Sequence, residues 1–163
     1  MPHAPGSRHQ PIRILLADDH FLMREGFRAV LAGEPDLEVV GEASGVQETV
    51  ALCQRYCPDL ILLDLRMLGD GVSATRLIKA ACPDAKILFV TVHGDSSHLQ
   101  EAKQAGASGY LLKDVSHRDL LCAIHLSYRG RSSSDQPALM LSWRLLICTS
   151  RPAAGRVDGR QVP

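Results

Sequence analysis

No stretch of 18 consecutive apolar residues occurs in this 163-residue chain, so no membrane span is expected. The first ten residues, Met1 to Gln10, lack the apolar segment of a secretory signal, and none is expected. Charge is also missing as a clue: 18 Lys and Arg balance 18 Asp and Glu. Bulk charge therefore names no partner. Cys53, Cys57, Cys82, Cys122 and Cys148 make an odd count with no repeated spacing. Cys53 and Cys57 lie four apart and could share a helix face, but a structural zinc would need further ligands, and buried or incidental free thiols are the expected reading. That reading places the chain in a reducing compartment, the cytoplasm. Apolar residues at 45% and charged residues at 22% exclude a wholly disordered, collagenous or coiled-coil chain.

What is present is a rhythm. Ile12 to Ala17 is a short apolar run halted by Asp18 and Asp19, the pattern of a buried strand. Phe21 to Ala32 carries Met23, Phe27, Val30 and Leu31 at helical spacing, and Gly33 closes it. The alternation continues: strand at Leu37 to Ala43, helix at Val46 to Tyr56 stopped by Pro58, strand at Asp59 to Asp64, helix at Val72 to Ala81. It ends with strand Lys86 to Thr91, helix Ser96 to Gln104 closed by Gly106, strand Ser108 to Leu112, and a helix opened by Ser116. Asp119 stands in capping-box position there, and Leu120, Leu121 and Ile124 form the apolar face. The rhythm stops near Ser127. Five strands alternating with five helices predict an α/β fold with a doubly wound parallel sheet, flavodoxin-like, in the order 2-1-3-4-5.

The chain thus divides into a flexible N-terminus (1–11), one domain (12–127) and a linker with a basic tail (128–163). Charge is split along the same line. Residues 1–127 hold 12 basic and 16 acidic side chains, whereas 128–163 hold six Arg and two Asp. An acidic body argues against nucleic-acid binding by the domain itself.

In an open parallel sheet, polar residues at the carboxyl ends of strands converge on one crevice. Those ends supply Asp18 and Asp19, Asp64, Thr91 and Lys113. Any one of these Asp residues would ordinarily be a helix cap or a solvated turn, Thr91 plain strand composition and Lys113 a surface lysine. Together they say more. Three carboxylates at one mouth repel one another unless a cation compensates, and Mg²⁺ suits two or three carboxylates with waters completing its shell. A hydroxyl and an ammonium aimed at the same point supply what a phosphoryl group needs.

Leu16-Ala17-Asp18-Asp19-His20, Leu62-Leu63-Asp64-Leu65-Arg66-Met67, Val90-Thr91 and Gly109-Tyr110-Leu111-Leu112-Lys113-Asp114 resemble the receiver domain of bacterial two-component response regulators, closest in wording to the NarL/FixJ subfamily. The resemblance covers about residues 12–127. It implies that Asp64 is the phosphoacceptor for a sensor histidine kinase. Asp18, Asp19, Asp64 and the backbone carbonyl of Arg66 would hold Mg²⁺, and Thr91 and Lys113 would bind the phosphoryl oxygens. Thr91 and Tyr110 would form the switch, and Arg66 and His93 would set the phosphoryl lifetime. Signal would leave through helix 4, strand 5 and helix 5, to a second copy or a downstream protein. Phosphotransfer and slow self-dephosphorylation are then the only chemistry, short of an enzyme acting on other substrates.

Two departures shape the alternatives. After the phosphoacceptor the family commonly reads Met-Pro-Gly, whereas this chain reads Met67-Leu68-Gly69-Asp70-Gly71, a loop one residue shorter. A pseudo-receiver that binds partners without phosphorylation is the reading this motivates. A haloacid-dehalogenase-type phosphatase wants a second Asp where Arg66 stands, and is set aside. The second departure is the lack of the Leu-Thr-x-Arg-Glu opening of a helix-turn-helix domain. Residues 128–163 are too few for such a domain and its core, so the tail reads as a poorly ordered remnant of an effector region, without sequence-specific DNA binding.

Overall fold

The computed structural model describes residues 10–68, 71–92 and 96–129. β1 (Ile12–Ala17), β2 (Leu37–Ala43), β3 (Leu60–Asp64), β4 (Lys86–Thr91) and β5 (Gly109–Leu112) form one parallel sheet, in the order β2-β1-β3-β4-β5. Between and after them run α1 (Phe21–Ala32), α2 (Val46–Tyr56), α3 (Gly71–Ala81), α4 (Ser96–Gln104) and α5 (His117–Arg129). A single 3-10 turn, Leu65–Leu68, follows β3. The fold class and strand order expected from the periodicity are those observed.

Side chains alternate across the strands and build two cores. On one face Ile14, Leu16, Leu60, Leu62, Leu88, Val90 and Leu111 meet Phe27 and Leu31 of α1 and Leu120, Ala123 and Ile124 of α5. On the other, Leu15, Ile61, Leu63, Ile87, Phe89 and Tyr110 meet Cys53 of α2, Ile78 of α3 and Cys82 just after α3. All five residues of β3 are buried, as its unbroken apolar run requires of the central strand. Between Ile14 and Leu15 the β1–β2 register shifts by one residue. Beyond that shift Gly41 lies against Leu15, where a Cβ would come within 3.1 Å of the leucine Cδ1.

Element ends differ in detail from the sequence reading. Asp59 is not part of β3. Its N–H donates to the Arg13 carbonyl (2.8 Å) and its carboxylate accepts the Arg13 N–H (2.9 Å), so it clamps β1 before pairing begins. Gly33 ends α1 in right-handed conformation (φ −74°), so the left-handed freedom of glycine is not what stops that helix. The left-handed cap belongs to Cys57 (φ 44°) at the end of α2, where Pro58 had been the visible signal. The Arg13 guanidinium donates to the carbonyls of Tyr56 (2.6 Å) and Cys57 (3.3 Å), holding that strained residue in place. α5 runs on to Arg129, past Ser127, and its cap is as read: the Asp119 N–H donates to Ser116 Oγ at 3.1 Å. Burial pushes the Cys53 thiol up to about 12, in keeping with a cysteine that acts as core. Cys57 and Cys122 are exposed, and the described cysteines are free thiols.

Candidate functional site

β1, β3, β4 and β5 end at the same rim of the sheet and deliver polar groups there, two from β1 and one from each of the others. Asp18 and Asp64 are buried, at 3% exposure each, as is Thr91 at 1%. The two aspartates are oriented by the same local device. Asp18 Oδ1 accepts the backbone N–H of His20 (2.8 Å), and Asp64 Oδ1 accepts that of Arg66 (3.1 Å). Each carboxylate therefore bonds the peptide two residues on, a turn that short acidic side chains favour. Their other oxygens face Lys113, whose Nζ lies 2.7 Å from Asp18 Oδ2 and 3.3 Å from Asp64 Oδ2. The Lys113 N–H donates to the Thr91 carbonyl (2.8 Å), which fixes where the lysine leaves β5.

Electrostatics follow from this crowding. Burial, chiefly, pushes the Asp64 carboxyl above its usual value, and the neighbouring Asp18 charge adds to the push. The Arg66 N–H and the Lys113 ammonium pull the other way without cancelling it. For Lys113, burial alone would disfavour the ammonium, but bonds and charge from Asp18 and Asp64 outweigh it and raise its value. One lysine thus serves two buried carboxylates, with the more exposed Asp19 beside them.

Asp18, Asp19, His20 and Asp64 each offer a ligand atom, and those atoms all lie within 4.8 Å of one another. Three carboxylates and an imidazole on one side of a single lysine are a donor set that fits a divalent cation. His20 is the residue that sequence reasoning passed over. It stood in the motif, but a lone histidine after two aspartates gave no signal that its ring would turn back. In the fold its Nδ1 lies 2.9 Å from Asp19 Oδ1 and 3.3 Å from Asp18 Oδ1. Arg24 was also unforeseen: from α1 its guanidinium donates to the Asp18 carbonyl (2.6 Å) and approaches Glu42 (3.8 Å).

Tyr110 is buried in the core with Phe89 and Ala107, on the strand next to Thr91. The Arg66 side chain is exposed at the mouth. His93 lies outside the described residues, as do Gly69 and Asp70 of the shortened loop and everything called in 130–163.

Residues 14–125 match the family model described as the response regulator receiver domain. The chain belongs to the response regulator receiver domain family. It is 40% identical over 120 residues to the transcriptional regulatory protein DegU of Brevibacillus brevis, covering 73% of this chain and 51% of that one. It is 34% identical over 159 residues to the nitrate/nitrite response regulator NarL of Escherichia coli K12, covering 95% of this chain and 74% of that one. The chain thus spans about half the length of DegU. Among solved structures, the signal receiver domain of NarL from Mycobacterium tuberculosis superposes with a TM-score of 0.70 at 31% identity, covering 74% of this chain and 98% of that one. A LuxR-family two-component response regulator from Aurantimonas superposes equally well (TM-score 0.70, 35% identity), covering 82% and 95%. The receiver identity and the NarL-like character read from the motifs are borne out. Among the described residues no helix is long and apolar enough to cross a membrane.

Proposed function

We propose that Asp64 accepts a phosphoryl group from the phosphohistidine of a sensor histidine kinase. The observation that carries this is the convergence of Asp64, Asp18 and Lys113, with one ammonium within 3.3 Å of both buried carboxylates. An Asp64 carboxylate oxygen forms the new bond to phosphorus as the bond to the kinase imidazole breaks, and the imidazole nitrogen keeps the electron pair. A loose transition state asks for position and charge neutralisation more than for a base. The bond from the Arg66 N–H fixes the Asp64 carboxyl, and Lys113 stabilises charge gathering on the equatorial oxygens. Asp18, Asp19, Asp64 and the Arg66 carbonyl would hold Mg²⁺, which when bound neutralises the phosphoryl oxygens.

Thr91 donates its hydroxyl to a phosphoryl oxygen in this scheme, and the buried Tyr110 on the adjacent strand senses its position. Output then passes through α4, β5 and α5 to a second copy or another protein, since phosphate contacts shift a two-state element only by what they contribute differently to each state. Arg66 and His93 set the phosphoryl lifetime by screening the mouth from water. Residues 12–127 are the working domain, and 128–163 add no sequence-specific DNA binding.

The test is intact mass after incubation with a small-molecule phosphodonor and Mg²⁺. The parent gains one phosphoryl group and Asp64→Asn gains none. A parent that stays at its own mass, or an Asp64→Asn variant that gains the same group, overturns the proposal and leaves a non-phosphorylating interaction module.

A further inference from the structure

His20 is the one nitrogen donor in the described acidic cluster, and the assigned roles do not use it. Its backbone and its ring both face the site. The peptide N–H bonds Asp18 Oδ1 at 2.8 Å, which fixes the start of α1, and the ring Nδ1 returns to within 2.9 Å of Asp19 Oδ1. The side chain is largely open, at 67% exposure. Asp18 Oδ2, by contrast, is buried and faces the Lys113 ammonium at 2.7 Å.

The oxygens divide accordingly. Lys113 stands against Oδ2 of Asp18 and of Asp64, while Oδ1 of each is turned to a peptide N–H. Asp19 Oδ1 has His20 Nδ1 as its neighbour. A cation entering between these carboxylates therefore meets the imidazole nitrogen in the same step. Octahedral ligands at about 2.1 Å stand roughly 3 to 4.2 Å apart. The 4.8 Å span of the four donor atoms is within a small side-chain adjustment of that. With its proton on Nε2, the ring presents the Nδ1 lone pair.

We propose that His20 is a direct nitrogen ligand of the divalent cation, and that it widens the site from Mg²⁺ to first-row transition ions. This rests on the reading of the acidic cluster as a metal site. The chemistry is that of mixed donor sets: Mg²⁺ prefers oxygen and retains water, so an imidazole gives it little. Co²⁺ and its neighbours bind imidazole well and gain from it. The residue after the acidic pair is then a selectivity element that decides which ion accompanies phosphotransfer when Mg²⁺ is scarce.

Two measurements on the full chain test this. Pulsed electron paramagnetic resonance of bound Mn²⁺ reads the coupling of a directly coordinated ¹⁴N. The parent shows it, and His20→Ala loses it while the other six histidines remain. Competition of Co²⁺ against Mg²⁺ reads selectivity, because Mg²⁺ displaces only ions from the oxygen-rich site and not those on exposed thiols. His20→Ala lowers the Co²⁺ preference on the order of tenfold and leaves Mg²⁺ affinity within about threefold. Equal loss of both ions would make His20 only an orienting partner of Asp19 and overturn the proposal, as would nitrogen coupling that survives His20→Ala. If the parent binds neither ion at the cluster, the metal reading itself falls. Bound Mn²⁺ without nitrogen coupling removes the His20 assignment alone.

Discussion

The two ends of the sheet carry similar charged side chains and use them in opposite ways. At the amino ends of the strands, Arg13 and Asp59 are spent on backbone: Arg13 caps the carbonyls of Tyr56 and Cys57, and Asp59 accepts the Arg13 N–H. Lys79 is used likewise, donating to the Ala85 carbonyl at 2.7 Å. Burial, chiefly, pulls the Lys79 value down, with the Lys86 charge adding to it, and the backbone bond supplies the compensating partner. At the carboxyl ends, the charged groups face each other. Asp18 and Asp64 share one lysine with Asp19 beside them, and the Asp64 carboxyl is pushed up by its burial first and by the Asp18 charge second. A charge matched to a fixed dipole is structural. A charge left to face its own kind is available to a ligand, and the difference separates scaffold from site within one sheet.

The strongest way to break this contrast is to remove the shared cation. Lys113→Ala leaves two buried carboxylates facing each other with no ammonium between them. It should cost about 3 to 5 kcal/mol in urea unfolding of the metal-free protein, as deletions of one buried partner do. Added Mg²⁺ should restore part of the loss. If the variant is as stable as the parent, the lysine is not what holds the two carboxylates together.

Asp64 sharpens the contrast through pH. Its folded value is raised, so its contribution to stability is full below the unfolded carboxyl value and is lost as pH rises through the folded one. Metal-free parent protein should lose stability across that acid-to-neutral window relative to Asp64→Asn, which cannot ionise there. Thermal melts at stepped pH check it, and parallel curves for the two proteins would contradict it.

At the opposite end, Arg13→Ala should destabilise by about 1 to 3 kcal/mol, because the Tyr56 and Cys57 carbonyls lose a charged donor. Phosphoryl gain on Asp64 should survive, since Arg13 serves scaffold alone. A variant that keeps its stability but loses phosphorylation would reverse the assignment of the two ends.

The smallest effect is at the start of α2, where the Ser44 N–H and hydroxyl donate to Glu48 Oε2 at 2.8 and 2.9 Å. Those bonds, the backbone one first, hold the Glu48 carboxyl below its usual value. Its contribution is present above the unfolded value and is lost as pH falls through the lowered one. In an exposed turn Glu48→Gln should cost about half a kcal/mol at neutral pH and nothing in acid. Amide exchange at the first turn of α2 would detect it.

Much of this molecule is decided locally. Short apolar runs predict the five strands, helical spacing and helix stops predict the helices between them, and the strand-end polar residues are Asp18, Asp19, Asp64, Thr91 and Lys113. Such signals are legible because side-chain alternation and helical repeat depend on neighbours a few residues apart. Tertiary structure alone decided the rest. The left-handed turn at Cys57 depends on Arg13, 44 residues earlier in the chain. The start of β3 at Leu60 depends on a clamp between Asp59 and Arg13. His20 joins the acidic cluster only because its backbone N–H binds Asp18 and turns the ring toward Asp19. Lys113 neutralises Asp18 and Asp64 together because parallel pairing ends β1, β3 and β5 on one rim. Each of these is a hydrogen bond or ion pair whose partner is set by packing, and no local sequence preference encodes where a distant side chain will point.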